Sequence, residues 1–175
     1  MRKLWIALII LFGIPVAMAA AAVLVALIAS PWAQSSGPRP TDDQMIGHWR
    51  AKRPVLERLV GMAQEDAGLK RLGKDWAEPE DPASVGIAAE RAVLYRTLMR
   101  EAGIISLAHY GRQIELVYHT AGIYIRGSAK SFCYGPPPDY ADRIDGDLDK
   151  AREGLRRFTL QRRIEGDWWL QYEGT

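Results

Sequence analysis

Residues 104–126, IISLAHYGRQIELVYHTAGIYIR, are where the apolar pattern of the chain changes period, and the fold turns on how they are read. Ile104 to His109, Gln113 to His119 and Gly122 to Arg126 each read as a strand, with apolar and polar residues alternating. Tyr110-Gly111-Arg112 and Thr120-Ala121-Gly122 are short enough to be hairpin turns. Alternation puts Ile114, Leu116 and Tyr118 on one face, and Ile123 and Ile125 on one face of the next strand. Ser131 to Tyr134 continues the third strand after a break at Gly127. Pro136-Pro137-Pro138 then ends the sheet edge, because proline cannot donate to a ladder.

Upstream of this stretch the spacing is helical. Thr41 and Gln44 have capping-box spacing, and Asp42 and Asp43 suit the positive end of a helix dipole. Met45, Ile46, Trp49, Leu56, Leu59, Val60 and Ala63 form one apolar stripe. Pro54 should kink or restart that helix, pushing Arg53 toward extended geometry, and Gly68 ends it. Lys70 to Ala83 carries little periodicity and reads as a surface loop pinned by Trp76. A second helix is expected from about Ser84 to Ala102, with Ile87, Leu94, Leu98 and Ala102 on one face.

Downstream, Asp139 to Gly154 reads as a polar loop with a helical turn. Arg157 to Ile164 and Asp167 to Glu173 read as two closing strands joined around Glu165-Gly166. Phe158, Leu160 and Ile164 face one way and match Trp168, Leu170 and Tyr172. The expected fold class is α+β: an N-terminal transmembrane helix, then two helices packed on an antiparallel meander of about five strands.

The transmembrane expectation rests on Leu4 to Ala29, an apolar run without a charge, directly behind Arg2 and Lys3. A hydrocarbon core of about 30 Å needs roughly 20 helical residues. Trp5 and Trp32 lie at the two ends, where indole rings favour the interface. No basic residue follows until Arg39, so the positive-inside bias puts the N-terminus in the cytoplasm and the domain in the periplasm. A cleaved signal peptide, cut after Ala17-Met18-Ala19, is the competing reading. It would leave Ala20 to Ala29 as an exposed apolar terminus, so a retained anchor is preferred. The chain then divides into an anchor (1–30), a stiff Ser/Gly/Pro linker (31–40) and a domain (41–175).

The formal net charge is +2, which Arg2 and Lys3 supply, so the domain is balanced. Such a balance gives no electrostatic case for nucleic acid. The lone Cys133, between Phe132 and Tyr134, reads as buried and inert. GIYIRGSAKS at 122–131 superficially resembles a phosphate-binding loop, but Gly127 does not directly precede Lys130, so no nucleotide is expected. Asp145, Asp147 and Asp149 alternate like the start of a calcium loop, yet Lys150 stands where the turn glycine belongs. No cofactor, catalytic residue or metal ligand is assigned. The one metal arrangement worth testing joins His109 and His119 with Glu115, should the histidine strands pair.

Arg152, Arg156, Arg157, Arg162 and Arg163 make a basic cluster beside the last hairpin. Trp168 and Trp169 are adjacent in a strand and must point to opposite faces, one into the core. Trp169, Arg162 and Arg163 are therefore the candidate partner-binding residues.

The helix pattern Met45-Ile46 … Leu56-Glu57-Arg58-Leu59 … Met62 … Glu65-Asp66 and the hairpin Ile164-Glu165-Gly166-Asp167-Trp168-Trp169 resemble those of small bacterial membrane-anchored envelope proteins of unknown function. The resemblance spans most of residues 41–173 and implies location only. It departs from the lipidated version, since no cysteine follows the apolar run. The expected function is a non-enzymatic periplasmic interaction module, held in the lipid bilayer by residues 4–29 and binding another envelope protein. An immunity-type protein that neutralises a toxin at the membrane and a small metal-dependent hydrolase are the alternatives.

Overall fold

The computed structural model of the protein describes residues 38–123 and 126–175. The apolar run with its ends Leu4 and Ala29, the linker up to Gly37, and Tyr124 and Ile125 lie outside the described residues. Among the described residues no helix is long and apolar enough to cross a membrane.

Helix α1 spans Asp42–Glu65 and opens on the expected capping box: Gln44 N donates to Thr41 Oγ1 at 3.3 Å, and Thr41 N donates to Gln44 Oε1 at 2.9 Å. Pro54 does not restart it. The helix runs through Pro54, and Arg53 is helical rather than extended. Pro54 is exposed, so the carbonyl deprived of its N–H partner can turn to water. The buried stripe contains Met45, Trp49, Leu56, Leu59, Val60, Met62 and Ala63, with Ile46 only half-buried.

The stretch expected to be a loop after α1 holds two very short strands, β1 (Arg71–Gly73) and β2 (Ala77–Glu78). Trp76 pins this hairpin rather than the core: it is 44% exposed, stacks under Arg71 at 5.3 Å and lies against Gly73, where a side chain would collide with the indole. A 3-10 turn at Pro82–Val85 leads to helix α2, Ala89–Glu101, shorter than the periodicity suggested. The remaining elements are β3 (Ser106–Tyr110), β4 (Gln113–Ile123), β5 (Arg126–Tyr134), β6 (Asp142–Arg143), α3 (Leu148–Ala151), β7 (Phe158–Glu165) and β8 (Trp168–Gly174).

The sheet is larger than the expected meander of about five strands. Among the described residues it has eight strands, in the order β2-β1-β3-β4-β5-β8-β7-β6. Every neighbouring pair is antiparallel except β6 with β7, which is parallel. The expected turn at Thr120-Ala121-Gly122 is strand: β4 continues to Ile123 and pairs with β5 down to Ile123↔Arg126. A bulge between Val117 and His119 absorbs the change of pattern there.

Two faces follow from register. Leu107, Leu116, Phe132 and Leu170 are successive cross-strand partners, and all four are fully buried. Each such leucine stabilises the fold by about 1.5–3 kcal/mol relative to exposure. On this first face α1, α2 and α3 deposit their buried side chains, with Trp49 meeting Trp168 edge-on at 6.0 Å. Phe158, Leu160, Ile164, Trp168, Leu170 and Tyr172 belong to the same core. The opposite face is built from other chemistry.

Candidate functional site on the second sheet face

The row of partners next to the leucine row is Arg71, Ala108, Glu115, Cys133, Trp169 and Arg163, one residue from each of six strands. A second row holds Val117, Ser131, Gln171 and Gln161. Because strand side chains alternate, these residues share the face that the core does not use. Polar residues dominate it, yet its centre is closed to solvent: Glu115, Ser131, Gln161 and Gln171 are all buried.

Burial of polar groups is tolerable only when they are hydrogen-bonded, and here they form one chain of bonds. Ser131 Oγ donates to Glu115 Oε1 at 2.7 Å, and Gln171 Nε2 donates to the same oxygen at 3.0 Å. Gln171 Nε2 also reaches Glu173 Oε2 at 3.4 Å, so one amide bridges two carboxylates. Gln171 Oε1 accepts from Gln161 Nε2, which also donates to Gln113 Oε1 at 3.2 Å. Gln113 Nε2 closes the chain on the carbonyl of Pro136 at 3.3 Å.

The electrostatics follow from burial. Desolvation raises the Glu115 carboxyl above the ordinary range, opposed by the bonds from Ser131 and Gln171. Desolvation, reinforced by the Glu115 charge, pushes Glu173 up to about 7. Glu173 therefore takes up or loses its proton near neutrality. Cys133 is fully buried and its thiol is pushed well up, which suits an inert role.

The rim carries large amphipathic rings. Tyr110 is 54% and Tyr140 75% exposed, and the Arg163 guanidinium lies 5.8 Å over the half-buried Trp169 ring. Desolvation followed by the Glu115 charge raises the Tyr110 hydroxyl, which places that ring close to the carboxylates. At the Trp169 end, a cavity of about 790 Å³ is lined by His109, Tyr134, Arg143, Arg163, Asp167 and Trp169. Gly135 forms part of its wall with φ +103° and with the Arg112 carbonyl in the space a side chain would need.

The residues singled out from sequence divide between the faces. Trp168 is the core tryptophan and Trp169 lies opposite, beside Arg163. Arg162 is separated from them: it faces the helices and reaches Asp42 Oδ2 at 3.5 Å. His109 pairs with Ile114, whereas His119 pairs with Lys130, five residues further along β4, so about 17 Å of strand separates them. Glu115 lies on the other face from His109. Those three residues are not brought together, and among the described residues no group of three or more His, Cys, Asp or Glu is placed to hold a metal ion.

The acidic alternation is spent on structure. Asp147 caps α3 through Lys150 N at 2.9 Å, and Asp149 pairs with Lys130 at 2.7 Å. His48 is partly buried: its Nε2 lies 2.8 Å from the Ala102 carbonyl, and its ring packs on Tyr118 at 4.5 Å. Of the loop-like GIYIRGSAKS, Gly122 and Ile123 end β4 and Arg126 to Ser131 open β5, and Lys130 is fully buried against Asp42 at 2.9 Å. Sequence reasoning missed Gln113, Gln161, Gln171 and Glu173. Their only advance signal was alternation, since Gln161, Gln171 and Glu173 stand out of phase with the apolar residues of their strands.

Compared with protein-family models, with curated proteins and with solved structures, the chain matches none.

Proposed function

We propose that this protein is a membrane-anchored interaction module. In this reading residues 4–29 lie in the bacterial inner membrane with the N-terminus cytoplasmic, and the domain binds another envelope protein from the periplasmic side. The binding surface is the second sheet face at its Trp169–Arg163 end. The observation that carries this reading is the union of exposed Tyr110 and Tyr140 with the Trp169–Arg163 stack over a closed polar floor. Tryptophan, tyrosine and arginine dominate interface energetics, because they bury large area at small entropic cost and still offer a polar end. Arg162 is not part of this surface, being held by Asp42.

The test is photo-crosslinking in the intact membrane from a probe replacing Tyr140, followed by Trp169→Ala and Arg163→Ala in the same background. One discrete crosslinked protein is expected, reduced at least ten-fold by either substitution, while the domain still unfolds in one cooperative thermal transition. Crosslinking that persists undiminished in both variants would refute the assigned face.

A further inference from the structure

A second surface lies beside the Ile123 end of β4 and the Gly174 end of β8. Arg39, Arg152 and Arg156 converge there on a shallow depression of about 330 Å³, together with Leu155. No Asp or Glu lines it. The ion pairs among the described residues use Arg53, Arg91, Arg162 and Lys130, and include none of these three arginines. Arg39 and Arg152 are held in place by the Tyr172 ring, with guanidinium carbons 5.2 and 5.9 Å from its centroid. Leu155 is 45% exposed among these cations and is followed by the exposed Arg156 and Arg157.

In a domain whose charges balance overall, three cations around one exposed leucine, two of them held by Tyr172, make a local amphipathic spot. Guanidinium groups offer planar forks to phosphate oxygens, and an apolar side chain between them gains by entering the acyl boundary. Chain length adds a second argument. Arg39 follows Ala29 by ten positions, at most about 35 Å of fully extended chain. If 4–29 spans the bilayer, Arg39 is therefore confined near its surface.

We propose that Arg39, Arg152 and Arg156 dock on anionic phospholipid headgroups, with Leu155 inserted between them. The proposal rests on the anchored reading above for its geometry, but its chemistry is separately measurable.

The experiment uses the full chain, labelled with an environment-sensitive dye at Leu155→Cys, while the fully buried Cys133 stays unreacted. It is reconstituted into vesicles of phosphatidylcholine alone, or of phosphatidylcholine with phosphatidylglycerol. A blue-shifted dye quenched by spin-labelled lipid is expected only in the anionic vesicles, and less so at high salt. Arg39→Gln, Arg152→Gln and Arg156→Gln together should return the signal to the neutral-vesicle level. Each arginine near such a surface is worth about a five-fold gain in partitioning, so the triple variant should lose about a hundred-fold.

Equal signals in both vesicle types, or an unaffected triple variant, would overturn the proposal. So would competition by inorganic phosphate beyond that of chloride at equal ionic strength, which indicates a site for the free anion. Carbonate extraction of the same samples reports on the anchor separately. A chain that is stripped from membranes refutes the anchored reading, while its flotation with anionic but not neutral vesicles still decides for or against the arginine patch.

Discussion

At the scale of single residues, the most consequential side chain is Lys130. It is fully buried and donates to Asp42 at 2.9 Å, Asp149 at 2.7 Å and the Pro40 carbonyl at 3.0 Å. Asp42 in turn accepts from Leu148 N at 2.8 Å. The group ties the start of α1, the start of α3 and the middle of β5 together. Removing Asp42 leaves the buried Lys130 with only the partly exposed Asp149 as counter-charge, which costs up to about 3–5 kcal/mol. Asp42→Ala should lower unfolding free energy by about that amount in urea titration, whereas Asp43→Ala, one exposed position on, should change it by less than about 0.5 kcal/mol.

Glu173 makes a pH prediction on the same scale. Its ordinary value of 4.5 rises to about 7 in the fold. Below pH 4.5 both states hold the proton and the residue contributes nothing. Between 4.5 and 7 the unfolded chain ionises first, so the unfolded state binds fewer protons and stability falls as pH rises. Glu173→Gln should therefore flatten the melting temperature across that window and raise it at pH 8. Melting curves followed by circular dichroism, showing the same slope in both proteins, would refute the assignment.

Among the elements, α1 and the β7–β8 hairpin invite contrasting tests. Helix α1 runs through Pro54 without an internal partner for one carbonyl, and Pro54 faces solvent. Proline in a helix interior is disfavoured against alanine by about 3 kcal/mol, and part of this is recovered by hydration at an exposed position. Pro54→Ala is expected to stabilise the domain by about 1–3 kcal/mol, read from the midpoint of denaturant unfolding. In the hairpin, Trp168 and Trp169 differ in consequence although they are neighbours. Trp168→Ala should cost about 3–5 kcal/mol, because it opens a cavity against Trp49 and Tyr134. Trp169→Ala should cost well under half of that while abolishing partner capture, so the two effects separate by face.

For the molecule as a whole, one sheet supports two different surfaces. The first face is covered by helices and accounts for the core. The second is a closed polar floor with an aromatic rim, and the arginine patch lies at a strand end apart from the Trp169 cavity, with no residue in common. Their separation predicts independence: the triple arginine variant should lose lipid docking and keep crosslinking through the Tyr140 probe. Trp169→Ala should do the reverse.

Whatever depends on neighbours in the chain was legible from the order of residues alone. Capping at Thr41 and Gln44, the stripe from Met45 to Ala63, the alternation that sends Trp168 and Trp169 to opposite faces, and the closing hairpin at Gly166 all follow from fixed helical and strand periods. The oily run from Leu4 to Ala29 is a statement of the same local kind. Register between distant segments has no local signature and came from the folded sheet. A bulge after Val117 made one strand of the two expected around Thr120, and pairing too short to leave a period revealed β1, β2 and β6. Register also parted His109 from His119. The carboxylates Glu115 and Glu173, fifty-eight positions apart, came to share one glutamine amide because hydrogen bonding across a sheet ignores sequence distance.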